Sequence, residues 1–106
     1  IGELCNLSIR FTRDGKEIYG TNTLYQNYPN PFDQRTVIGI NLAQSTQGMM
    51  KITDVTGRVV KTIDREWNKG YNEVWLDRRE VKTNGILFYS FESSEFKATK
   101  RMILLQ

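Results

Sequence analysis

The sequence predicts an all-β antiparallel sandwich, and three observations carry that expectation. Turn signals recur at short, fairly regular intervals; the segments between them are rich in β-branched and aromatic residues that alternate apolar with polar; and helical periodicity is nearly absent. The chain has 106 residues, one domain's worth, so a single core is expected. Leu, Ile, Val and Phe make up about a quarter of it, above the roughly 20% below which a charged chain tends to stay disordered.

Element by element, Leu7, Ile9 and Phe11 alternate with Ser8, Arg10 and Thr12, and Arg13-Asp14-Gly15-Lys16 turns the chain into Glu17 to Tyr19. From Leu24 to Phe32, Pro29 and Pro31 remove ladder donors and hold Tyr28 and Asn30 extended, which reads as an ordered lead-in with Tyr25, Tyr28 and Phe32 packed on the sandwich end. Val37 to Leu42 is a strand, the polar stretch Ala43 to Gly48 turns back, and Met49 to Thr53 is the next strand. Asp54-Val55-Thr56-Gly57-Arg58 reads as a tight hairpin, with Gly57 where φ is positive, leading into Val59 to Ile63. After Lys69-Gly70 come Tyr71 to Leu76, the turn Lys82-Thr83-Asn84-Gly85, Ile86 to Glu92, and a closing strand from Phe96 to Leu105. These segments make about seven to eight short strands, which need two sheets to bury their apolar faces. The inward set is Ile38, Ile40, Leu42, Met50, Ile52, Val74, Leu76, Leu87, Tyr89 and Phe91.

The missing residues are as informative. There is no histidine, which removes the usual general base, the usual zinc ligand and the Ser/His and Cys/His dyads. Cys5 stands alone and reads as an inert thiol. Asp14, Asp33, Asp54, Asp64 and Asp77 each sit beside a turn-like stretch, where a backbone-capping role is expected. The glycines form no phosphate-binding loop. No enzyme and no cofactor or metal is therefore expected. The net charge of +3 is dispersed except at Lys97, Lys100 and Arg101, so nucleic acid is not an expected partner. No apolar run approaches the roughly 20 residues of a spanning helix, and no signal segment opens the chain, which reads as a fragment of something longer.

Three segments, in order, carry a resemblance. Leu24-Tyr25-Gln26-Asn27-Tyr28-Pro29-Asn30-Pro31-Phe32, Asp54-Val55-Thr56-Gly57-Arg58, and Phe96 through Leu105 resemble the opening, central-hairpin and closing motifs of the type A C-terminal sorting domain of the type IX secretion system, and the likeness covers the chain from Leu24 onward. It departs at Leu87, where that family usually carries an aromatic. The resemblance implies an Ig-like antiparallel β-sandwich that directs a cargo protein from periplasm across the outer membrane to a secreted or cell-surface location. It also implies removal by a sortase-like cysteine protease that attaches the cargo to the surface. The implied partners are the translocon, that protease and the upstream cargo domain. Residues 24–106 would be the sorting domain, and residues 1–23 the end of a preceding cargo domain or a linker hairpin.

From the resemblance, recognition falls on Gly85 and on Lys97, Lys100, Arg101, Met102, Ile103 and Leu104 of the closing strand, which is suited to being read by strand addition. Processing falls in the small, polar stretch Gly20, Thr21, Asn22, Thr23. The alternative is a carbohydrate-binding or adhesive β-sandwich of a secreted protein, for which Trp67 and Trp75 would form an aromatic platform. Core or rim packing is the other role open to those tryptophans.

Overall fold

The computed structural model describes residues 9–11, 17–19 and 22–106. Cys5, Asp14, Gly20 and Thr21 lie outside them. In chain order the elements are β1 (Ile9–Phe11), β2 (Glu17–Tyr19), β3 (Thr23–Leu24), β4 (Arg35–Leu42), β5 (Thr46–Asp54), β6 (Val59–Trp67), β7 (Gly70–Asp77), a single helical turn α1 (Arg78–Val81), β8 (Gly85–Ser93) and β9 (Lys97–Leu104). β1 and β2 pair antiparallel, as expected of the opening strands, and the expected turn at Arg13 to Lys16 lies outside the described residues. The others build two antiparallel sheets, ordered β3-β4-β7 and β6-β5-β8-β9. This is an all-β sandwich of seven strands, and α1 is its one described helix.

Alternation sets which side chains meet between the sheets. All ten residues expected inward are buried, Leu87 among them. Leu24, Phe32, Trp67, Val81, Met102 and Leu104 complete the core. Trp67 closes one end, its ring edge-on to Phe91 at 5.4 Å between centres, its Nε1 donating to the Gly48 carbonyl at 3.0 Å and the Arg65 guanidinium 4.2 Å from its ring.

Several boundaries differ from the pattern-based reading. β5 starts at Thr46, inside the stretch read as a turn, and β6 continues to Trp67, four residues beyond Ile63. The β6 extension adds Asp64, Arg65 and Glu66, exposed polar residues that an edge strand tolerates, before it ends on the buried Trp67, and Thr46, Gln47 and Gly48 of β5 pair with it. Thr23 and Leu24 pair with Asn41 and Ile40, so the lead-in begins with a short edge strand. Tyr28 is 77% exposed and does not pack on the sandwich end, whereas Phe32 does. The capping roles hold at two aspartates. Asp54 Oδ1 accepts from the Thr56 amide and hydroxyl and from the Arg58 amide, which holds its carboxyl below the usual range, the Thr56 hydroxyl first. Asp77 is the N-cap of α1, accepting from the Arg79 amide while Glu80 accepts from the Asp77 amide. Asp64 instead lies within β6, opposite Met49. Gly57 has the positive φ its hairpin requires, 91°.

Candidate recognition surface

β9 is an edge strand of the larger sheet, and its alternation divides the residues of the closing motif. Met102 and Leu104 point into the core and are buried, so in the folded domain they offer no apolar contact to a partner. Arg101 and Ile103 lie on the opposite, outer face, in register with Phe88 and Ile86 of β8. Lys100 is opposite the buried Tyr89, on the core-side parity, so Lys100 and Arg101 point to different faces and do not form one basic patch. Lys97 pairs with Glu92 across the strands at 3.5 Å. Gly85 starts β8 opposite Leu104 with φ of 95°; nothing lies within 4 Å of where its Cβ would be, so backbone conformation is the constraint there. The outer face at this end is therefore Ile86, Phe88, Arg101 and Ile103.

The free edge of β9 is half covered. The segment after β3 runs along it as a strap: the Phe32 amide donates to the Ile103 carbonyl at 3.0 Å and the Leu105 amide to the Phe32 carbonyl at 2.8 Å. The Ile103 amide donates to Asn30 Oδ1 at 3.0 Å, and Gln26 Nε2 donates to the Arg101 carbonyl at 2.7 Å. The same strap is tied to the other sheet, Tyr25 donating to the Gly39 carbonyl and Tyr28 and Val37 exchanging both main-chain bonds. Its Tyr28–Pro29 and Asn30–Pro31 peptide bonds are both cis. Strand addition at residues 101–105, as the sequence suggests, would have to displace this strap. Among the described residues, none covers the stretch around Lys97 and Thr99 on that edge.

Beneath the strap is a buried polar cluster. Asn27 Nδ2 donates to Thr36 Oγ1 at 2.9 Å, Thr36 Oγ1 donates to the Pro29 carbonyl at 2.9 Å, and the Asn27 amide donates to the Tyr89 hydroxyl at 2.8 Å. Among the described residues no buried side-chain nitrogen or oxygen lacks a partner. Periodicity could not single out Gln26, Asn27 and Asn30, since their partners lie up to 75 residues away; their presence in the opening motif is the signal that marks them.

Of the processing stretch, Asn22 and Thr23 are described. Asn22 Oδ1 accepts from the Ala43 amide at 2.9 Å, and Thr23 is paired with Asn41 in β3, so the backbone is engaged from Thr23 onward. The two tryptophans do not make one platform: Trp67 is buried in the larger sheet, and Trp75 stands on the outer face of the smaller one with the Arg35 guanidinium 5.4 Å from its ring. Among the described residues no helix is long and apolar enough to cross a membrane.

No curated protein matches the chain. A solved structure with the same fold is the dimeric latent PorU from Porphyromonas gingivalis, at a TM-score of 0.60 and 18% identity, over 92% of this chain and 12% of that one. The family model described as secretion system C-terminal sorting domain matches residues 26–105, from the strap through the end of the closing strand. With three quarters of its length matched, strap, central hairpin and edge strand together, this chain belongs to the family of type IX secretion C-terminal sorting domains.

Proposed function

We propose that this domain carries a cargo protein from the periplasm across the outer membrane, and that a sortase-like cysteine protease then removes it and leaves the cargo at the cell surface. The sorting role itself follows from family membership. The domain acts as an address and not as a catalyst, and needs no cofactor. The observation that supports a recognition role for the closing strand is its position: β9 is an edge strand whose outward Arg101 and Ile103 join Ile86 and Phe88 on one outer face, with Arg101 and Ile86 exposed and Ile103 and Phe88 half-buried, while Met102 and Leu104 hold the core. The translocon reads that surface on a folded domain. Cleavage falls upstream of Asn22, since the Asn22 side chain is tied to the Ala43 amide and Thr23 is paired in β3.

The test is a fusion of the whole chain to the C-terminus of a periplasmic reporter, expressed in a bacterium with and without a type IX system. Surface delivery that depends on the system supports the proposal. Retention of the reporter in the periplasm of both strains overturns it.

A further inference from the structure

The sandwich has four sheet edges, and three are guarded. β9 is half covered by the strap, with Lys97, Lys100 and Arg101 along it; β6 carries Lys61, Asp64, Arg65 and Glu66; and β3 is two residues long and runs into the strap. β7 is eight residues long, no described residue covers it, and its charged residues are Glu73 and Asp77. On β4, the main-chain groups of Val37 and Gly39 point to the strap, so those of Thr36, Ile38 and Ile40 point to β7, where they meet Leu76, Val74 and Asn72. Tyr71, Glu73 and Trp75 therefore present their N–H and C=O groups outward, and no described residue takes them. The side chains of Tyr71 and Trp75, each 57% exposed, stand beside this open edge.

We propose that β7 pairs antiparallel with β7 of a second copy of this chain across a two-fold axis, joining two three-stranded sheets into one of six. An isologous strand pair satisfies both open edges at once and closes the assembly at two copies. Charge selects the register. Centring on Glu73 would set two carboxylates directly opposite, which is unfavourable in a cross-strand pair. Centring on Val74 sets Glu73 of each copy opposite Trp75 of the other. There it meets Arg35, whose described contacts are the Trp75 ring and the field of Asp77, leaving its guanidinium donors open to a carboxylate. Glu73 is free to turn to it, holding only a 3.2 Å bond from the exposed Tyr71 hydroxyl.

The experiment is sedimentation of the full chain from micromolar to sub-millimolar concentration. A concentration-dependent dimer is expected. Glu73→Pro should weaken it by about tenfold or more, because the Glu73 N–H faces outward and proline is tolerated at such an edge position. Thr99→Pro, which removes an outward N–H from β9 instead, should leave the dimer intact. Arg35→Glu and Glu73→Arg should each weaken it, and the two together should restore it; this pair also decides the matter if the proline variant melts. A monomer at every concentration, dissociation by Thr99→Pro, or a double charge reversal that restores nothing would overturn the proposal.

Discussion

The hydroxyl of Tyr89 donates to the carbonyl of Tyr25 at 2.7 Å, joining the centre of the larger sheet to the first residue of the strap 64 positions away. The same oxygen accepts from the Asn27 amide, so one buried phenol fixes the path by which the chain crosses from one sheet to the other.

Replacing Tyr89 by Phe keeps the ring and leaves the Asn27 amide and the Tyr25 carbonyl without that partner, at a cost of about 1–3 kcal/mol in denaturant unfolding. Burial pushes the Tyr89 hydroxyl from 10.0 up to about 12. A group whose pKa is raised on folding stabilises fully below its unfolded value and loses that contribution as pH rises through the folded one. Wild type should therefore lose stability between pH 10 and about 12 beyond what Tyr89→Phe loses, and parallel alkaline limbs would contradict this.

At the acid end the sign is reversed. Hydrogen bonds from the Arg79 side chain, then its amide, hold the Asp77 carboxyl down from 3.8 to about 2. A depressed pKa contributes stability above the unfolded value and loses it as pH falls through the folded one. Asp77→Asn retains a capping side chain but no charge, so its melting temperature should fall less steeply than wild type between pH 4 and 2.

Ile52 is fully buried at the centre of β5, between β6 and β8. Ile52→Ala should cost about 2–5 kcal/mol, a large part of a small domain's stability. An unchanged melting temperature would remove Ile52 from the core.

Lys100 and Arg101 lie on opposite faces of β9 and can be separated experimentally. Arg101→Ala should lower surface delivery of a fused reporter with little change in melting temperature, while Lys100→Ala should leave delivery near normal. Equal loss from both, measured by cell-surface labelling, would mean that the outer face is not what is read. The N-terminus of a released domain, determined by sequencing, should lie at or before Asn22.

Sequence periodicity alone determined the sandwich, its ten central core positions and the turns at Asp54 and Gly57, because side chains two apart in a strand share a face and a positive φ selects glycine. The linear motifs alone marked the family. Tertiary structure decided what periodicity is blind to. The strap's hydrogen bonds to β8 and β9 join residues 62 to 75 positions apart. Trp67 and Trp75, alike in sequence, part company because β6 ends against the core at Phe91 while Trp75 falls on the outer parity of β7. Lys100 and Arg101 read as one basic pair along the chain, but a pleated strand sends neighbours to opposite faces. Which edge stays open depends on where strap and sheets meet in space, and there main-chain groups 30 or more residues apart settle it: the strap covers half of β9 and nothing described covers β7.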